Sequence, residues 1–267
     1  MTLCKLCKAN ACDTKSHVIP RWIYKSFLGK TEQFIIPNSS TSKPRITQAG
    51  IFDYQLVCNM CEKLFLDADT YSAKFFRDKP WNPEQFEELI PSNTREAKER
   101  YFTRTIDDAD YQLLRLFVLN TLWRISESND PFFKQVNLGK RTNNLSELVL
   151  EQSVGKPDDF PFMIFKLLDN PDAIIESQNF MMQPRIARGT DGYWYFKLSL
   201  PGFEIHVCTD SRDSHGLPEP LLVKPGSFTT VGIPAKQSAS LASSIDVMRA
   251  HLRGRSKHML TKKRSTT

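Results

Sequence analysis

Little in this chain suits a membrane, an export route or a disulfide scaffold. The longest apolar run, within Leu113 to Leu122, is interrupted by Arg115 and Asn120 and falls far short of the roughly 20 apolar residues that a membrane span needs. The sequence opens on a cysteine pair rather than on a charged segment followed by an apolar one, so neither a signal peptide nor a membrane partner is expected, and the cytoplasm is the expected compartment. Cysteines number 6 in 267 residues, too few to staple so long a chain, and the spacing of most of them is of metal-binding type. The 11 glycines form no phosphate-cradling loop, and there is no internal repeat. With 40% hydrophobic and 11% aromatic residues the chain has material for a sizeable core.

What is present begins with two Cys-x-x-Cys knuckles, Cys4 with Cys7 and Cys58 with Cys61. Two such pairs supply the tetrahedral four-thiolate set of a structural zinc ion, and four thiolates leave no open position for a reacting water. Any chemistry must then lie elsewhere. Cys12 and Cys208 fall outside the pairs, Cys12 as a spare thiol and Cys208 in an apolar strand.

The expected fold class is α+β, with an N-terminal treble-clef zinc module, a helical middle and a C-terminal antiparallel sheet. Ser16 to Pro20 reads as a short strand stopped by proline, and Arg21 to Leu28 as a brief helix capped by Gly29. Pro37 to Gly50 reads as a loop, Phe52 to Val57 as a strand, and Glu62 to Phe76 as a helix with Leu64, Ala68, Tyr71 and Phe75 facing inward. The prolines of Asp78 to Pro91 suggest an irregular link. Helices are expected over Asn93 to Phe102, over Asp107 to Ser126, greasy on so many sides that it should be central, and over Asn144 to Gln152, with Asn144 and Glu147 at capping-box spacing. Beyond Gly155 the period turns towards 2, and Phe160 to Leu168, Asn179 to Ala187, Tyr193 to Leu200 and Phe203 to Thr209 read as an antiparallel meander. Ala239 to Leu252 reads as a last helix. The expected divisions are residues 1–77 for the zinc module, 78–155 for the helices, 156–236 for the sheet and 237–267 for a basic helix and tail.

The formal charge of +6 is concentrated at that end. Arg249, Arg253, Arg255, Lys257, Lys262, Lys263 and Arg264 are followed by no acid, and without these seven the chain holds 29 basic against 30 acidic residues. Such a tail suits the backbone of DNA or RNA or an acidic protein partner; a solvated chain end is the alternative.

The order Cys4-x-x-Cys7, then Ser16-His17-Val18-Ile19-Pro20, then Cys58-x-x-Cys61-Glu62 resembles zinc-bearing HNH endonucleases of the ββα-metal fold. The likeness covers about the first quarter of the chain. It implies that His17 is the general base, that Glu62 and, on the Asn position, Asp53 hold a catalytic divalent ion such as Mg2+ or Mn2+, and that Ser16 replaces the usual early metal ligand. The chain is also similar to an uncharacterised bacterial family that shares the Ser-His-x-Ile-Pro and Cys-x-x-Cys-Glu motifs and a later Trp-Arg, here Trp123 and Arg124; that likeness extends further but carries no activity with it. Together the resemblances imply an HNH-like endonuclease acting on nucleic acid, in a bacterial or mobile-element defence setting. The alternative is a non-catalytic zinc-stabilised module that binds nucleic acid or protein, His17 then serving the zinc loop; a protein partner or homo-oligomer fits either.

The remaining candidates favour plain roles. Helix geometry separates Asp69 from Glu62 by roughly 10 Å, too far for both to grip one ion unless the helix breaks. His206 belongs to an apolar strand, and Asp210, Asp213 and His215 to a turn. Tyr193, Trp194 and Tyr195 resemble a base-stacking platform, but neighbours on a strand face opposite sides.

Overall fold

The computed structural model describes residues 2–27, 34–36, 45–47, 50–89, 101–168, 182–189, 191–212 and 217–234. Its architecture is α+β, with a cysteine cluster near the N-terminus, helices in the middle and a sheet dominated by the C-terminal part. The expected basic helix and tail, residues 237–267, lie outside the described residues. Among those described, no helix is long and apolar enough to cross a membrane.

The N-terminal part has the outline of a treble clef. The first knuckle is closed by a bridge between Leu3 and Ala11. Strand β1 (Ser16–His17) pairs antiparallel with β4 (Phe52–Asp53), setting Ser16 opposite Asp53 and His17 opposite Phe52. Helix α2 (Asn59–Lys63) then starts on the second knuckle. Between the two strands run helix α1 (Arg21–Phe27) and a hairpin of β2 (Phe34–Ile36) and β3 (Arg45–Thr47), so the expected loop over 37–50 contains a strand. Pro20 ends β1 because the residue before a proline is biased to extended backbone and proline donates no ladder hydrogen bond.

The helix expected over Glu62 to Phe76 starts earlier and is broken. After α2 the chain tightens, Leu64 N donating to the Cys61 carbonyl at 3.1 Å and Phe65 N to that of Glu62 at 3.2 Å. Helix α3 (Leu66–Ala73) follows and widens into a π-turn over Lys74–Asp78. The buried face runs through Phe65, Ala68, Ser72 and Phe75, so Ala68 and Phe75 face inward as expected while Phe65 and Ser72 take the places expected of Leu64 and Tyr71. Leu64 and Tyr71 are half-buried.

Helix α4 (Tyr111–Glu127) is the central helix its composition predicts. Asp110 caps it, its carboxylate accepting from Leu113 N at 3.0 Å, and every residue from Leu114 to Ile125 is buried, including Arg115, Asn120, Thr121 and Arg124. It packs against both α3 and α5 (Arg141–Leu150). Helix α5 begins before the expected capping box, so Asn144 and Glu147 lie inside it.

The large sheet has seven strands in the order β5-β6-β11-β7-β10-β9-β8. Its strands are β5 (Glu87–Leu89), β6 (Tyr101–Ile106), β7 (Phe162–Leu168), β8 (Arg185–Arg188), β9 (Trp194–Leu200), β10 (Phe203–Cys208) and β11 (Phe228–Pro234). Pro201-Gly202 makes the β9–β10 turn, as its composition predicts, with Gly202 at φ +73. The four-strand meander is corrected in one respect: β7 pairs with β10 rather than with β8, which gives a Greek-key order. Strand β5, from the segment expected to be irregular, and β6, which begins at the last two residues of the expected helix Asn93 to Phe102, extend the sheet on its other side; the rest of that helix, 93–100, lies outside the described residues. β11 joins the halves, antiparallel to β6 and parallel to β7. One cluster of buried side chains runs from Cys4 through α4 to Phe228 and so crosses the expected divisions at 77 and 155.

Candidate metal centre and the His17 cleft

The four cysteines Cys4, Cys7, Cys58 and Cys61 converge, all four sulfurs lying within 4.8 Å of one another. The Cys7 and Cys58 sulfurs are 3.9 Å apart, close to the roughly 3.8 Å edge of a tetrahedron with Zn–S bonds of about 2.3 Å. Local backbone makes this convergence. Lys8, at φ +56, turns the first knuckle, and Cys7 N donates to the Cys4 sulfur at 3.5 Å. Asn10 Nδ2 reaches the Cys58 sulfur at 3.7 Å, Lys5 N donates to the Leu56 carbonyl at 3.0 Å, and Asp13 accepts from Asn59 N at 2.7 Å at the start of α2. The two knuckles are thus stitched together by hydrogen bonds.

The donor chemistry fits a metal. Burial works against ionisation of Cys7, but donors from Asn10, Ala9 and the neighbouring thiols outweigh it and hold its pKa at about 6. Burial and the other sulfurs push Cys61 up instead. Four crowded sulfurs cannot all ionise unaided, and a bound cation is what lets them do so. The set can hold a metal such as zinc. Cys12 is half-buried and outside it; Cys208 is buried in β10, as expected.

Beside this centre, His17, Glu62, Asp69 and Arg124 line one cleft of about 380 Å3, with Arg21, Lys74 and Arg77 among its other walls. Strand β1 supplies His17, whose ring packs 4.1 Å from that of Phe52. Ser16, fully buried on the other face of β1, donates its hydroxyl to Glu62 Oε2 at 2.6 Å. Burial raises the pKa of Glu62, while the Ser16 hydrogen bond and Arg124 pull it down and Asp69 pushes it up; the net shift is upward. Arg124, buried at 1% exposure, spans Asp69 with Nη1 to Oδ2 at 2.9 Å and Nη2 to Oδ1 at 2.8 Å. It also reaches the His17 carbonyl at 3.4 Å and lies over the Phe65 ring at 4.7 Å.

The predicted site residues therefore part company. His17 and Glu62 share the cleft. Asp53 does not join them: Oδ1 accepts from Gln55 N at 2.8 Å and Oδ2 from Asn129 N at 2.9 Å and Ser128 Oγ at 3.4 Å, so its carboxylate fastens the turn after β4 to the end of α4. Asp69 lines the cleft with Glu62, but Arg124 occupies both of its oxygens. Among the described residues the cysteine quartet is the group of three or more metal-ligating side chains that converges; His17, Asp53 and Glu62 do not form another. The basic residues Arg249, Arg253, Arg255, Lys257, Lys262, Lys263 and Arg264 lie outside the described residues, as do Asp213 and His215. His206 packs in the sheet against Phe165 with its Nε2 3.2 Å from Glu204.

Sequence reasoning missed the part played by Arg124. The available signal was the Trp-Arg pair in a helix too apolar to leave an arginine in water: such a cation needs a buried anion, and Asp69 was the unassigned carboxylate. Trp123 does the companion job on the other side, its indole N–H donating to Ser146 Oγ of α5 at 2.9 Å. No protein-family model matches this chain, and comparison with curated proteins and with solved structures likewise finds no match.

Proposed function

We propose that the chain is a zinc-stabilised, HNH-like endonuclease that hydrolyses nucleic-acid phosphodiester bonds in the cleft of His17. The observation that supports this most is the contact of Ser16 with Glu62 beside His17. The HNH resemblance assigns those first two positions to the metal and the third to the base, and residues 46 apart in sequence meet where that assignment needs them to meet.

In this reading the cysteine quartet holds zinc and ties the first knuckle to α2, while the Ser16–Glu62 hydrogen bond fixes β1 against α2, so that His17 and Glu62 keep their relative positions. His17 takes the proton from the attacking water. Arg21 and Lys74 hold the phosphate at the cleft wall, and the Arg124–Asp69 pair keeps the floor of the cleft rigid. Glu62, the lining carboxylate left by the Arg124–Asp69 and Arg77–Asp78 pairs, would hold a divalent ion such as Mg2+ or Mn2+, which commonly takes one or two carboxylates together with water and substrate phosphate and supplies neutralisation of the phosphate charge.

The test is cleavage of plasmid DNA and of structured RNA with magnesium or manganese added, comparing the full chain with His17→Ala at matched zinc content and matched thermal stability. Cleavage by the wild type, lost in His17→Ala, supports the reading; undiminished cleavage by the variant removes His17 from the role of base.

A second reading rests on a specific observation as well. A serine hydroxyl stands where the resemblance expects an aspartate or histidine ligand, and Asp53 and Asp69 are both engaged elsewhere. These facts favour a non-catalytic zinc-stabilised binding module. A wild-type protein that carries full zinc and cuts neither substrate decides for it.

A further inference from the structure

A second groove, of about 750 Å3, lies at the far end of the sheet, where the β8 edge meets the start of α5 and the segment after β10. Lys140, Arg141, Arg188 and Arg212 line it, and Asp210 is the carboxylate among its described lining residues. Asp210 is engaged by Arg212 through both oxygens, at 2.8 and 2.7 Å. Lys140, Arg141 and Arg188 therefore remain as surplus positive charge around one concavity. Like charges gathered in this way repel, and a bound anion relieves them.

Trp194 stands among these cations. It is 47% exposed, whereas its strand neighbour Tyr195 is buried at 5%, so the core does not require the indole. Pairing of β8 with β9 sets Arg188 directly opposite Trp194, which brings the two side chains out on one face of the sheet. The groove is also fixed in shape. Arg212 stacks on the Tyr193 ring at 3.9 Å and Arg141 on the Phe160 ring at 3.9 Å. Asp210 Oδ2 accepts from Trp194 N at 3.2 Å, and Arg141 hydrogen-bonds the Asp210 carbonyl.

We infer that this groove binds a segment of single-stranded nucleic acid, with a base stacked on Trp194 and the flanking phosphates held by Lys140 and Arg188. A flat exposed indole ringed by cations matches a planar base carrying a phosphate, and stacking of that kind tolerates any base. A free nucleotide shares this chemistry, but the 750 Å3 groove spreads its cations along a track, from Lys140 on the α5 side to Arg188 at the sheet edge, which suits a run of phosphates. The inference does not rest on cleavage in the His17 cleft, since binding is read without turnover.

The experiment is fluorescence anisotropy of labelled single-stranded DNA and RNA oligonucleotides with the full-length chain, the probe being checked for integrity on a gel. Trp194→Ala should weaken binding by about 5- to 150-fold, the equivalent of about 1–3 kcal/mol of stacking, while Trp194→Phe retains most of it. Lys140→Ala and Arg188→Ala should each lower the slope of log affinity against log salt by about 0.7. The exposure of all three residues keeps folding intact, as a thermal melt will register. Wild-type protein that binds neither strand, or Trp194→Ala that binds as the wild type does, overturns the inference and assigns any remaining affinity to the tail. Displacement of the oligonucleotide by a mononucleotide at equal concentration overturns it in favour of a nucleotide site.

Discussion

Arg124 and Asp69 form a two-toothed ion pair at 2.9 and 2.8 Å between α4 and α3, the guanidinium buried and the carboxylate 21% exposed to the cleft. Removal of one partner leaves the other charge without compensation, which costs about 3–5 kcal/mol for a buried pair. Asp69→Ala should lower the unfolding free energy by about that amount in a urea titration. The double variant Asp69→Leu with Arg124→Met, which removes both charges, should recover much of the loss. A loss below about 1 kcal/mol for Asp69→Ala would show the pair to be dispensable.

Elemental analysis should find one zinc per chain, and Cys58→Ser should carry substantially less. Since the quartet ties the first knuckle to α2, metal removal should also lower the thermal midpoint by roughly 10 °C, at about 2–4 °C per kcal/mol for a domain of this size. A chelated protein with an unchanged melt would refute a structural role for the site.

Gly50 sits at φ +93, and a Cβ there would lie 2.5 Å from Tyr24 Cδ2. The Tyr24 ring is buried and lies 6.4 Å from that of His17. Gly50→Ala combines an unfavourable backbone conformation with overpacking, so about 2–4 kcal/mol of stability should be lost. Because Tyr24 must move, the same variant should alter any activity that depends on His17. A fully stable variant would mean that the turn relaxes freely.

His206 gives the fold a pH dependence. Burial lowers its pKa, and the Glu204 carboxylate raises it by less, so the folded value lies below the unfolded one of about 6.5. Lys197, directly across from it on β9, and Arg185 work in the same direction as burial. Below about pH 6.5 the unfolded chain takes up a proton that the folded chain refuses, so stability present above that pH falls as pH drops towards the folded pKa. Urea titrations at pH 7.5 and pH 5.5 should show the decline, and His206→Gln should flatten that part of the profile. An identical decline in the variant would assign it to other groups.

What the sequence made legible was local. The Cys-x-x-Cys spacing located the cysteine quartet because a knuckle is a short turn that brings its own two cysteines together. Helix α4 was legible from its apolar circumference, and the β9–β10 hairpin from Pro201-Gly202. Pairings between distant segments were not. Nothing within Tyr101–Ile106 or Phe228–Pro234 specifies that these segments lie side by side, because the ladder is made by backbone groups that every residue carries. The site divides the same way. His17 and Glu62, singled out by their motifs, line one cleft, whereas the fate of Asp53 was decided by Ser128 and Asn129, far along the chain and without any local mark.

The place of β11 between β6 and β7 also sets the timetable of assembly on the ribosome. Until residues 228–234 emerge, β6 and β7 each present an unsatisfied edge in the middle of the future sheet, open to any other extended chain. The cysteine-rich N-terminal part and the central helices can settle early, but the two halves of the sheet wait for the last described strand. A nascent chain stalled before that strand is thus the form of this protein most exposed to aggregation, and the one most in need of a chaperone.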